Sequence, residues 1–353
     1  MTENGPLRTS DLAQALDTRT VTALAKLRTG SDGVGLVQKE VPAPRSGQAL
    51  VRVRAAGVCG TDLHIQDDEY ASAPPVTMGH EIAGVVEAVG DELDSSWVGR
   101  RVAVETYFST CGKCVQCRAG RGNLCADRKS IGSFRDGGFA DFMLIPVINL
   151  HEIPDTVDIH AAALTEPLAC VCHCLLDPAI VNTGDRVLVT GPGAMGLLSA
   201  QVARASGGRV VISGLESDRP RLDIAEGLGI STTTQVPEVE AFDVVIECSG
   251  SAGGANAALR AAKRYGNYVS VGIFGRAVSI DFDTVLYKEL TVTSGFASTP
   301  KSWDRAVELL RQGDVSLDVL VGRVVSLHEW EEVFEALRRG QGLKSVFDPT
   351  LRP

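Results

Sequence analysis

The pattern of apolar and polar positions changes character near residue 168 of the chain. Before that point, short apolar runs rich in β-branched side chains alternate with segments that contain glycine and proline, which is typical of strands joined by turns. The runs that predict strands are 36–41, 49–55, 82–89 and 101–104. So many short strands close together predict a compact β-rich domain.

Beyond residue 168, predicted strands alternate with predicted helices. The strands are expected at 186–190, 209–213, 242–248 and 267–271, and the helices at 194–206, 219–228 and 254–264. Alternating strands and helices form parallel βαβ units, so we expect an α/β fold with a doubly wound parallel sheet. Two helices, 302–312 and the amphipathic 327–338, end the pattern, whereas residues 1–20 form a polar, aperiodic extension with no assigned role.

Composition and charge narrow the class of protein. The 353 residues are 44% hydrophobic and 22% charged, which is ordinary for a soluble globular chain of two domains. The net charge of −10, without a Lys/Arg cluster, disfavours nucleic acid and anionic membrane as partners. No apolar run approaches the roughly 20 residues that cross a bilayer, and Met1–Ser10 lacks a signal-peptide pattern. We therefore expect a cytoplasmic enzyme whose nine cysteines are metal ligands and buried thiols rather than disulfides.

A glycine motif lies between a predicted strand and a predicted helix. The segment Gly191-Pro192-Gly193-Ala194-Met195-Gly196 satisfies the G-x-G-x-x-G pattern. The first glycine would permit a tight turn, the second lets the backbone approach a diphosphate, and the third allows the helix to pack closely on the strand. The diphosphate would then meet the free N–H groups of the helix N-terminus. The motif predicts a dinucleotide cofactor.

The choice between NAD and NADP depends on the end of the second strand of the α/β domain. An acidic side chain there holds the adenosine ribose of NAD. Gly214 lies where such an acid is first sought, so Glu216 is the best candidate and Asp218 the alternative. Arg219 and Arg221 could instead meet a 2′-phosphate, or be solvated residues at a helix start. The sequence favours NAD and leaves NADP open.

The cysteines divide into two groups. Cys111, Cys114, Cys117 and Cys125 follow the spacing C-x2-C-x2-C-x7-C, which lets four thiolates close tetrahedrally around a zinc ion. The common spacings of iron–sulfur ligands differ from this one, and the expected compartment disfavours disulfides. Four thiolates leave no open coordination position, so this zinc is predicted to be structural.

A second set of residues offers mixed ligands. Cys59 and His64 lie in one short segment, and His80 and Glu81 follow shortly afterwards in the sequence. A thiolate, an imidazole and a carboxylate together are typical of a catalytic zinc, which leaves one position for water or substrate. The separation of the two groups indicates an enzyme.

The chain resembles the zinc-containing medium-chain dehydrogenases of the alcohol, sorbitol and threonine dehydrogenase group. The resemblance covers most of the chain from Val21 to Pro349, and it depends on the segments 57–64 and 79–81, the four-cysteine lobe, the segment 166–169 and the glycine motif, in this order. It implies a GroES-like β-rich catalytic domain at 21–167 and 301–353, interrupted by a Rossmann domain at 168–300.

The resemblance also implies roles for individual residues. Cys59 and His80 match the catalytic zinc ligands, Glu166 matches a position that is cysteine or glutamate in the family, and Glu81 matches a conditional ligand. Thr61 would hydrogen-bond the substrate oxygen and His64 would receive its proton, while Asp62 would orient a ligand. By contrast, the remaining thiols and one histidine are expected to be buried and inert: Cys170, Cys172, Cys174, Cys248 and His173.

The reaction that these roles imply is oxidation of an alcohol with hydride transfer to NAD(P). Glutamate at position 166 favours a secondary alcohol within a polyol, sugar or amino-alcohol, oxidised to a ketone. Residues 65–70 are rich in hydrogen-bonding groups, which either line the pocket mouth or are solvated. The alternatives are a non-catalytic zinc-binding or redox-sensing protein, a simple-alcohol or aldehyde dehydrogenase of the same fold, and a zinc-free quinone or enone reductase. A homodimer or homotetramer is expected.

Overall fold

The computed structural model describes residues 20–41, 43–91 and 93–352, which form two compact units. The first unit contains the described residues up to Glu166 together with those from Val321 onward, and the second is Pro167–Leu320. Of the predicted N-terminal extension, residues 1–19 lie outside the described residues, and Thr20 begins the first strand. In the described part of the chain, no helix combines the length and apolarity needed to span a membrane.

The first unit is mainly β-structure. Its strands are β1 Thr20–Lys26, β2 Val34–Glu40, β3 Gln48–Gly57, β4 Val76–Thr77, β5 Glu81–Val89, β6 Arg101–Val104, β7 Tyr107–Ser109, β8 Lys129–Ser130, β9 Phe142–Pro146, β10 Leu150–Glu152, β17 Val321–Val325 and β18 Lys344–Phe347. Its helices are α1 Gly60–Gln66, α2 Val115–Arg118, α3 Ile159–Ala162 and α10 Trp330–Arg338, and α4 Thr165–Leu176 begins at its end.

The central sheet of this unit has the strand order β10-β6-β5-β3-β18-β17, with β9 also paired to β3. Strands β3 and β5 are antiparallel, and their apolar side chains, such as Val51, Val53 and Ile82, are fully buried in the core. The register places Gly57 directly opposite Glu81. Since β18 pairs with β3 at the same end, a strand from the C-terminal part of the chain lies beside the candidate metal ligands.

The second unit contains one parallel sheet covered by helices. Its strands are β11 Arg186–Thr190, β12 Arg209–Ser213, β13 Ser231–Thr233, β14 Phe242–Glu247, β15 Ala262–Ser270 and β16 Thr291–Ser294. Its helices, after α4, are α5 Ala194–Ala205, α6 Arg219–Gly227, α7 Ala252–Ala261, α8 Asp283–Tyr287 and α9 Pro300–Gln312. The order β13-β12-β11-β14-β15-β16, all parallel, is the doubly wound order with its switch point between β11 and β14. The predicted fold class is confirmed.

One predicted helix is shorter in the structure than the sequence pattern indicates. The helix expected at 254–264 ends at Ala261, and β15 begins at Ala262 because that residue pairs with Phe242 of β14. The register shifts between Phe242 and Val244, and Tyr265 has a positive φ of 61°. This irregular start of a strand has no helix-breaking residue in the sequence to mark it.

The second predicted domain boundary, at residues 300 and 301, differs from the observed division after Leu320. Helix α9 therefore lies with the parallel sheet. The side chain of Gln201 on α5 explains the attachment, because its amide donates to the carbonyl of Ser316 and accepts from the N–H of the same residue, at 3.1 and 2.8 Å. These bonds connect the segment after α9 to the second unit.

Candidate active site

Helix α1 contains three of the predicted site residues, Thr61, Asp62 and His64. It begins after Cys59, whose extended backbone (φ −115°, ψ 155°) makes this residue the N-cap. The backbone N–H of Cys59 donates to Asp62 Oδ2 at 2.9 Å, which fixes the first turn. Residues three apart share a helix face, so Thr61 and His64 lie on one side of α1, and the Thr61 hydroxyl lies 3.7 Å from Cys59 Sγ.

Cys59, His80 and Glu81 form a cluster of metal-ligating atoms. The thiol sulfur, an imidazole nitrogen and a carboxylate oxygen all lie within 4.8 Å of one another. His80 and Glu81 are buried, with exposed fractions of 8% and 1%. A thiolate, an imidazole and a carboxylate are the ligands of catalytic zinc sites, so the donor set fits this ion.

The charges around His80 favour a cation in this cluster. Burial by itself lowers the pKa of the imidazole. The hydrogen bond and negative charge of Cys59, together with the carboxylates of Asp62 and Glu166, more than offset burial and raise the pKa of His80 well above its usual value. The same anions attract a divalent cation, which supports the assignment of the cluster to zinc.

The side chain of Asp62 lies close to His80 as well as to Cys59. Its side chain is fully buried, and its Oδ1 lies 3.8 Å from Nδ1 of His80. This oxygen has no hydrogen-bond partner among the described residues. Metal-bound histidines usually donate the N–H of their other ring nitrogen to a carboxylate, so Asp62 is in place to orient His80 with Nε2 toward the metal.

The two carboxylate oxygens of Glu81 differ in their contacts. Its Oε1 accepts a hydrogen bond from Nζ of Lys344, while Oε2 is buried and has no hydrogen-bond partner in the described part of the chain. A Cβ atom added to Gly57 would lie 2.3 Å from this Oε2, so glycine at that position leaves space for the carboxylate. Oε2 is therefore the oxygen that Glu81 can offer to a metal.

Glu166 lies at the edge of the same site. Its side chain is 6% exposed, and its Oε1 accepts a hydrogen bond of 2.9 Å from the hydroxyl of Thr106. Its negative charge contributes to the raised pKa of His80, although it is not one of the three described residues whose ligand atoms lie within 4.8 Å. The structure thus places Glu166 near the cluster, with Cys59, His80 and Glu81 closest together.

The four cysteines of the lobe converge as their spacing predicts. The ligand atoms of Cys111, Cys114, Cys117 and Cys125 all lie within 4.8 Å of one another. Backbone N–H groups point at the sulfurs, with Cys114 N and Cys117 N each 3.4 Å from the preceding cysteine of the set. The N–H groups of Lys113 and Cys114 lower the pKa of the Cys111 thiol to about 6. Although the N–H of Cys117 lowers it, the pKa of Cys114 is raised to about 11 by hydrogen bonds to the other thiols of the lobe.

The glycine motif has the geometry that a dinucleotide loop needs. Gly191 has φ +89°, and a Cβ on it would lie 2.7 Å from the Cα of Ser249. A Cβ on Gly196 would lie 1.9 Å from the carbonyl oxygen of Gly191, whereas one on Gly193 would meet nothing within 4 Å. Gly193 therefore borders open space at the N-cap of α5, where Ala194 and Met195 form the first turn.

The end of β12 explains why the expected acidic position is glycine. A Cβ on Gly214 would lie 2.9 Å from Cγ of Pro192, so a larger side chain would collide with the dinucleotide loop. Glu216 follows in an exposed turn, and Asp218 is occupied, because its Oδ2 accepts from the N–H of Leu215 and its Oδ1 lies 3.7 Å from Arg221.

The two predicted arginines have acidic neighbours on the same helix. Arg219 forms ion pairs of 2.6 Å with Asp223 and Glu226, and Arg221 faces Asp218. The second unit thus presents an exposed Glu216 two residues after Gly214, the position where the acid is first sought, while both guanidinium groups face carboxylates.

Cys172, Cys174 and Cys248 lie outside the two clusters. Burial raises the pKa of Cys172 to about 12 and that of Cys174 to about 11, and burial also raises the pKa of Cys248. A raised pKa makes a thiol a poor nucleophile at neutral pH. Of the five side chains expected to be buried, Cys172 and Cys174 are buried, whereas Cys170, His173 and Cys248 are only partly buried.

Lys344 is a site residue that sequence reasoning missed. It lies on β18, far along the chain from Glu81, and burial lowers its pKa while the charge of Glu81 raises it above the ordinary lysine value. A lysine at the start of a short strand is normally solvated. Only the pairing of β18 with β3 brings it to the metal cluster, so no local signal could have found it.

Comparisons with known proteins point to one family. Residues 45–155 match the family model of the alcohol dehydrogenase GroES-like domain, and residues 194–312 match that of the zinc-binding dehydrogenases. The chain is 36% identical to a sorbitol dehydrogenase of Halalkalibacterium halodurans, with 93% of this chain and 99% of that protein covered. It is 33% identical to an L-threonine 3-dehydrogenase of Deinococcus radiodurans, with 92% and 97% covered.

A solved structure gives the same result for the fold. A zinc-binding dehydrogenase from Sinorhizobium meliloti 1021, crystallised with NADP bound, superposes with a TM-score of 0.85. It is 32% identical to this chain, and the match covers 94% of this chain and 100% of that one. The resemblance seen in the sequence therefore extends through both units.

Proposed function

Because this chain belongs to the zinc-containing medium-chain dehydrogenases, we propose that it oxidises a secondary alcohol of a polyol, sugar or amino-alcohol to a ketone. The reaction is reversible and transfers a hydride to NAD(P). The observation that supports it most directly is the convergence of Cys59, His80 and Glu81 beside the helix that bears Thr61 and His64. The chain is a zinc-dependent oxidoreductase acting on CH–OH donors.

The residues of the first unit divide the work of the reaction. Cys59 and His80 hold the catalytic zinc, which when bound supplies the Lewis acidity that makes a substrate hydroxyl more acidic. Thr61 hydrogen-bonds the reacting oxygen. His64 accepts the proton and releases it to solvent, for which its half-exposed ring is suited.

Carboxylates near the metal favour a substrate with several polar groups. Glu81 and Glu166 are both buried beside Cys59 and His80, so the cluster is more polar than one built with a second thiolate. Sorbitol is a polyol and L-threonine an amino-alcohol, and dehydrogenases named for these two compounds are similar to this chain along almost their whole length. Polyols and amino-alcohols are therefore the substrate classes to test first.

A substrate panel tests this proposal. Polyols, sugar alcohols, L-threonine and simple alcohols are incubated with NAD or NADP, and reduced cofactor is followed by absorbance at neutral and alkaline pH. We expect turnover with at least one secondary alcohol, loss of at least about 100-fold in kcat for Cys59→Ala, and little change for Cys174→Ala, which removes a buried thiol outside both clusters. A protein that binds two zinc ions but turns over none of the panel would instead be a non-catalytic zinc protein.

We further propose that the cofactor is NAD. Glu216 is exposed at the end of β12, whereas Arg219 and Arg221 have carboxylate partners that a 2′-phosphate would have to displace. The ratio of kcat/KM for NAD to that for NADP should exceed one and should fall in Glu216→Ala. A ratio below one in the unaltered enzyme would assign NADP.

A homodimer through one face of the second unit is also proposed, alone or as half of a tetramer. Strand β16 is the last strand of the parallel sheet, and large apolar side chains on it and in the chain segment that leads to it are exposed: Ile273, Phe282, Leu286, Tyr287 and Val292. Such a patch marks a protein interface more often than a solvated surface. Leu286→Glu should lower the mass seen in sedimentation, whereas Val236→Glu, which also alters an exposed apolar residue, should not.

A further inference from the structure

His64 is hydrogen-bonded to a carboxylate that has no role in the proposed reaction so far. Its Nδ1 lies 2.7 Å from Oε2 of Glu69, and the exposed fractions of the two side chains are 47% and 62%. The chain folds back on itself to make this contact, because the N–H groups of Glu69 and Tyr70 both donate to the carbonyl of His64, at 2.8 and 3.0 Å. The two side chains are thus held on one local turn.

The turn depends on the backbone of Asp68, which has a positive φ of 60°. Aspartate tolerates this left-handed conformation better than most residues, but it still needs support. The support comes from both carboxylate oxygens, since Oδ1 pairs with Nζ of Lys26 at 2.8 Å and Oδ2 accepts from the N–H of Gly30 at 2.5 Å.

Lys26 is fully buried, which is rare for an ammonium group and costly unless every donor is paired. Its Nζ has three partners, the carbonyls of Gly30 and Gln66 at 2.9 and 2.7 Å and the carboxylate of Asp68. These partners match its three donors. Gln66 is the last residue of α1, so the buried cation joins the end of this helix to the turn that follows it.

A second cation holds the same turn from the other side. Arg338 of α10 makes a bidentate pair with Asp67, at 2.6 and 2.8 Å, and donates to Oε1 of Gln66 at 2.8 Å. Lys26 and Arg338 together restrain the segment between His64 and Glu69 with charges from β1 and α10.

We propose that Glu69 is a positioning residue for His64. Its carboxylate accepts the Nδ1–H of the ring, so Nε2 is left unprotonated and free to take the proton released by the alcohol. The imidazolium that forms keeps its bond to Glu69 and returns the proton from Nε2 to water. Lys26 and Asp68 hold Glu69 within reach. The inference depends on the proposed role of His64, and it extends that role by naming the tautomer and the group that sets it.

The first test measures the tautomer directly. In protein labelled with ¹⁵N-histidine, the ring signals of His64 are assigned by their loss in His64→Gln, and we expect the Nδ1–H form. Glu69→Ala should shift His64 toward the Nε2–H form, while Glu69→Gln, whose amide oxygen can still accept, should shift it less. The signals of His151 and His160, which have carboxylate partners of their own, should stay unchanged. A His64 signal that is the same in Glu69→Ala would overturn the inference.

The second test separates positioning from folding. Glu69→Ala should lower kcat by about 10- to 100-fold, part of the factor that a general base supplies. The KM for the alcohol and the Kd for NAD(P) should change by less than about twofold. Asp32→Asn, which breaks an exposed ion pair with Arg28 at 2.7 Å, serves as the control and should leave kcat unchanged. An equal loss in Asp32→Asn, or a loss confined to KM, would contradict a positioning role.

The third test addresses the buried support. Asp68→Asn keeps a residue that tolerates the positive φ but removes the charge that faces Lys26. It should increase hydrogen–deuterium exchange in residues 64–70 and shift the His64 tautomer in the same direction as Glu69→Ala. Exchange that stays at the unaltered level would exclude the ion pair as the support. If the unaltered protein oxidises no alcohol, the proposed function fails, while the tautomer measurement still decides whether Glu69 sets the state of His64.

Discussion

At the scale of single residues, three glycines show how space is reserved for chemistry. Gly57 leaves room for the carboxylate of Glu81, Gly214 leaves room for Pro192, and Gly193 borders open space where a diphosphate can approach the backbone. The first two are needed by the protein itself, whereas the third is needed only by a ligand. Alanine substitutions can separate these two requirements, because an added methyl group would meet protein atoms at Gly57 and Gly214 but none at Gly193.

Two alanine substitutions in the glycine motif should therefore separate stability from cofactor binding. In Gly196→Ala the new Cβ would lie 1.9 Å from the carbonyl oxygen of Gly191, so the free energy of unfolding should fall by about 1–3 kcal/mol. In Gly193→Ala the new Cβ meets no protein atom, so the urea midpoint should hold, while the Kd for NAD(P) rises at least about tenfold, or 1.4 kcal/mol. Unfolding and nucleotide fluorescence titrations measure both. Equal loss of stability in the two variants would refute this division.

At the scale of elements, helix α1 and the four-cysteine lobe are stabilised by different interactions. Helix α1 has only seven residues, too few to be stable alone, and it is fixed by Asp62 at its start and by Lys26 and Arg338 at its end. The four-cysteine lobe lacks comparable packing, because Val115 and Leu124 within it are exposed. A metal is then the main cross-link available to the lobe.

Removal of one thiolate from the lobe should destabilise it. Cys114→Ser should lose one zinc ion per chain and lower the thermal midpoint, because a structural zinc contributes folding free energy. Val115→Ala, the adjacent change at an exposed side chain, should keep the zinc and the midpoint. Metal analysis and differential scanning calorimetry measure both. An unchanged midpoint in a Cys114→Ser protein that has lost zinc would show that the ion is not structural.

At the amino-terminal ends of the strands of the parallel sheet lies an ion pair. Its contribution to the free energy of unfolding should depend on pH. Asp243 of β14 accepts from Lys263 Nζ at 2.6 Å and from the N–H of Arg186 at 2.8 Å. Burial by itself raises the pKa of Asp243, but Lys263 and the Arg186 N–H more than offset it, so the folded pKa lies below the ordinary value. A lowered folded pKa stabilises the fold above the unfolded pKa and loses this effect as pH falls through the folded one.

Asp243→Asn should thus lower the urea midpoint by the same amount at pH 7 and pH 5, and the difference should shrink below about pH 4. Asp304→Asn, at an exposed position of α9, is the control and should leave the midpoint unchanged throughout. A difference between Asp243→Asn and the unaltered protein that widens as the pH is lowered would contradict the sign of the shift.

At the scale of the whole molecule, the two units contain separate halves of the proposed chemistry. The metal clusters and the proton-transfer residues belong to the first unit, and the glycine motif with Glu216 belongs to the second. Each unit has its own buried core, one between antiparallel strands and one between a parallel sheet and its helices. Damage to one site should therefore leave binding at the other intact.

A pair of variants tests this independence. His80→Ala should lose one of the two zinc ions and all turnover, yet bind NAD(P) with a Kd within about twofold of the unaltered protein. Gly193→Ala should show the reverse, with full zinc content and weak cofactor binding. Metal analysis and equilibrium titration on the same samples provide the comparison. Loss of cofactor binding in His80→Ala would show that the two sites are coupled.

The sequence by itself determined the features that are written in adjacent residues. Strands β6, β11 and β12 begin and end where their apolar patterns predict, because each is a short apolar run, largely buried, between turn residues. The C-x2-C-x2-C segment and the glycine motif are likewise local, since their chemistry needs fixed spacing along the chain. These local patterns were enough to predict the fold class, the two zinc ions and the dinucleotide cofactor.

The tertiary structure alone decided what depends on residues far apart in sequence. Lys344 and Glu81 are 263 positions apart, and Lys26 lies 40 positions before the carbonyl of Gln66 to which it donates. The end of α7 and the attachment of α9 were also decided by pairing with distant residues, Phe242 and Gln201. Sequence patterns report the burial of a residue but not its partner. Charged partners are chosen by the packing of strands and helices, so they became visible only when the chain was folded.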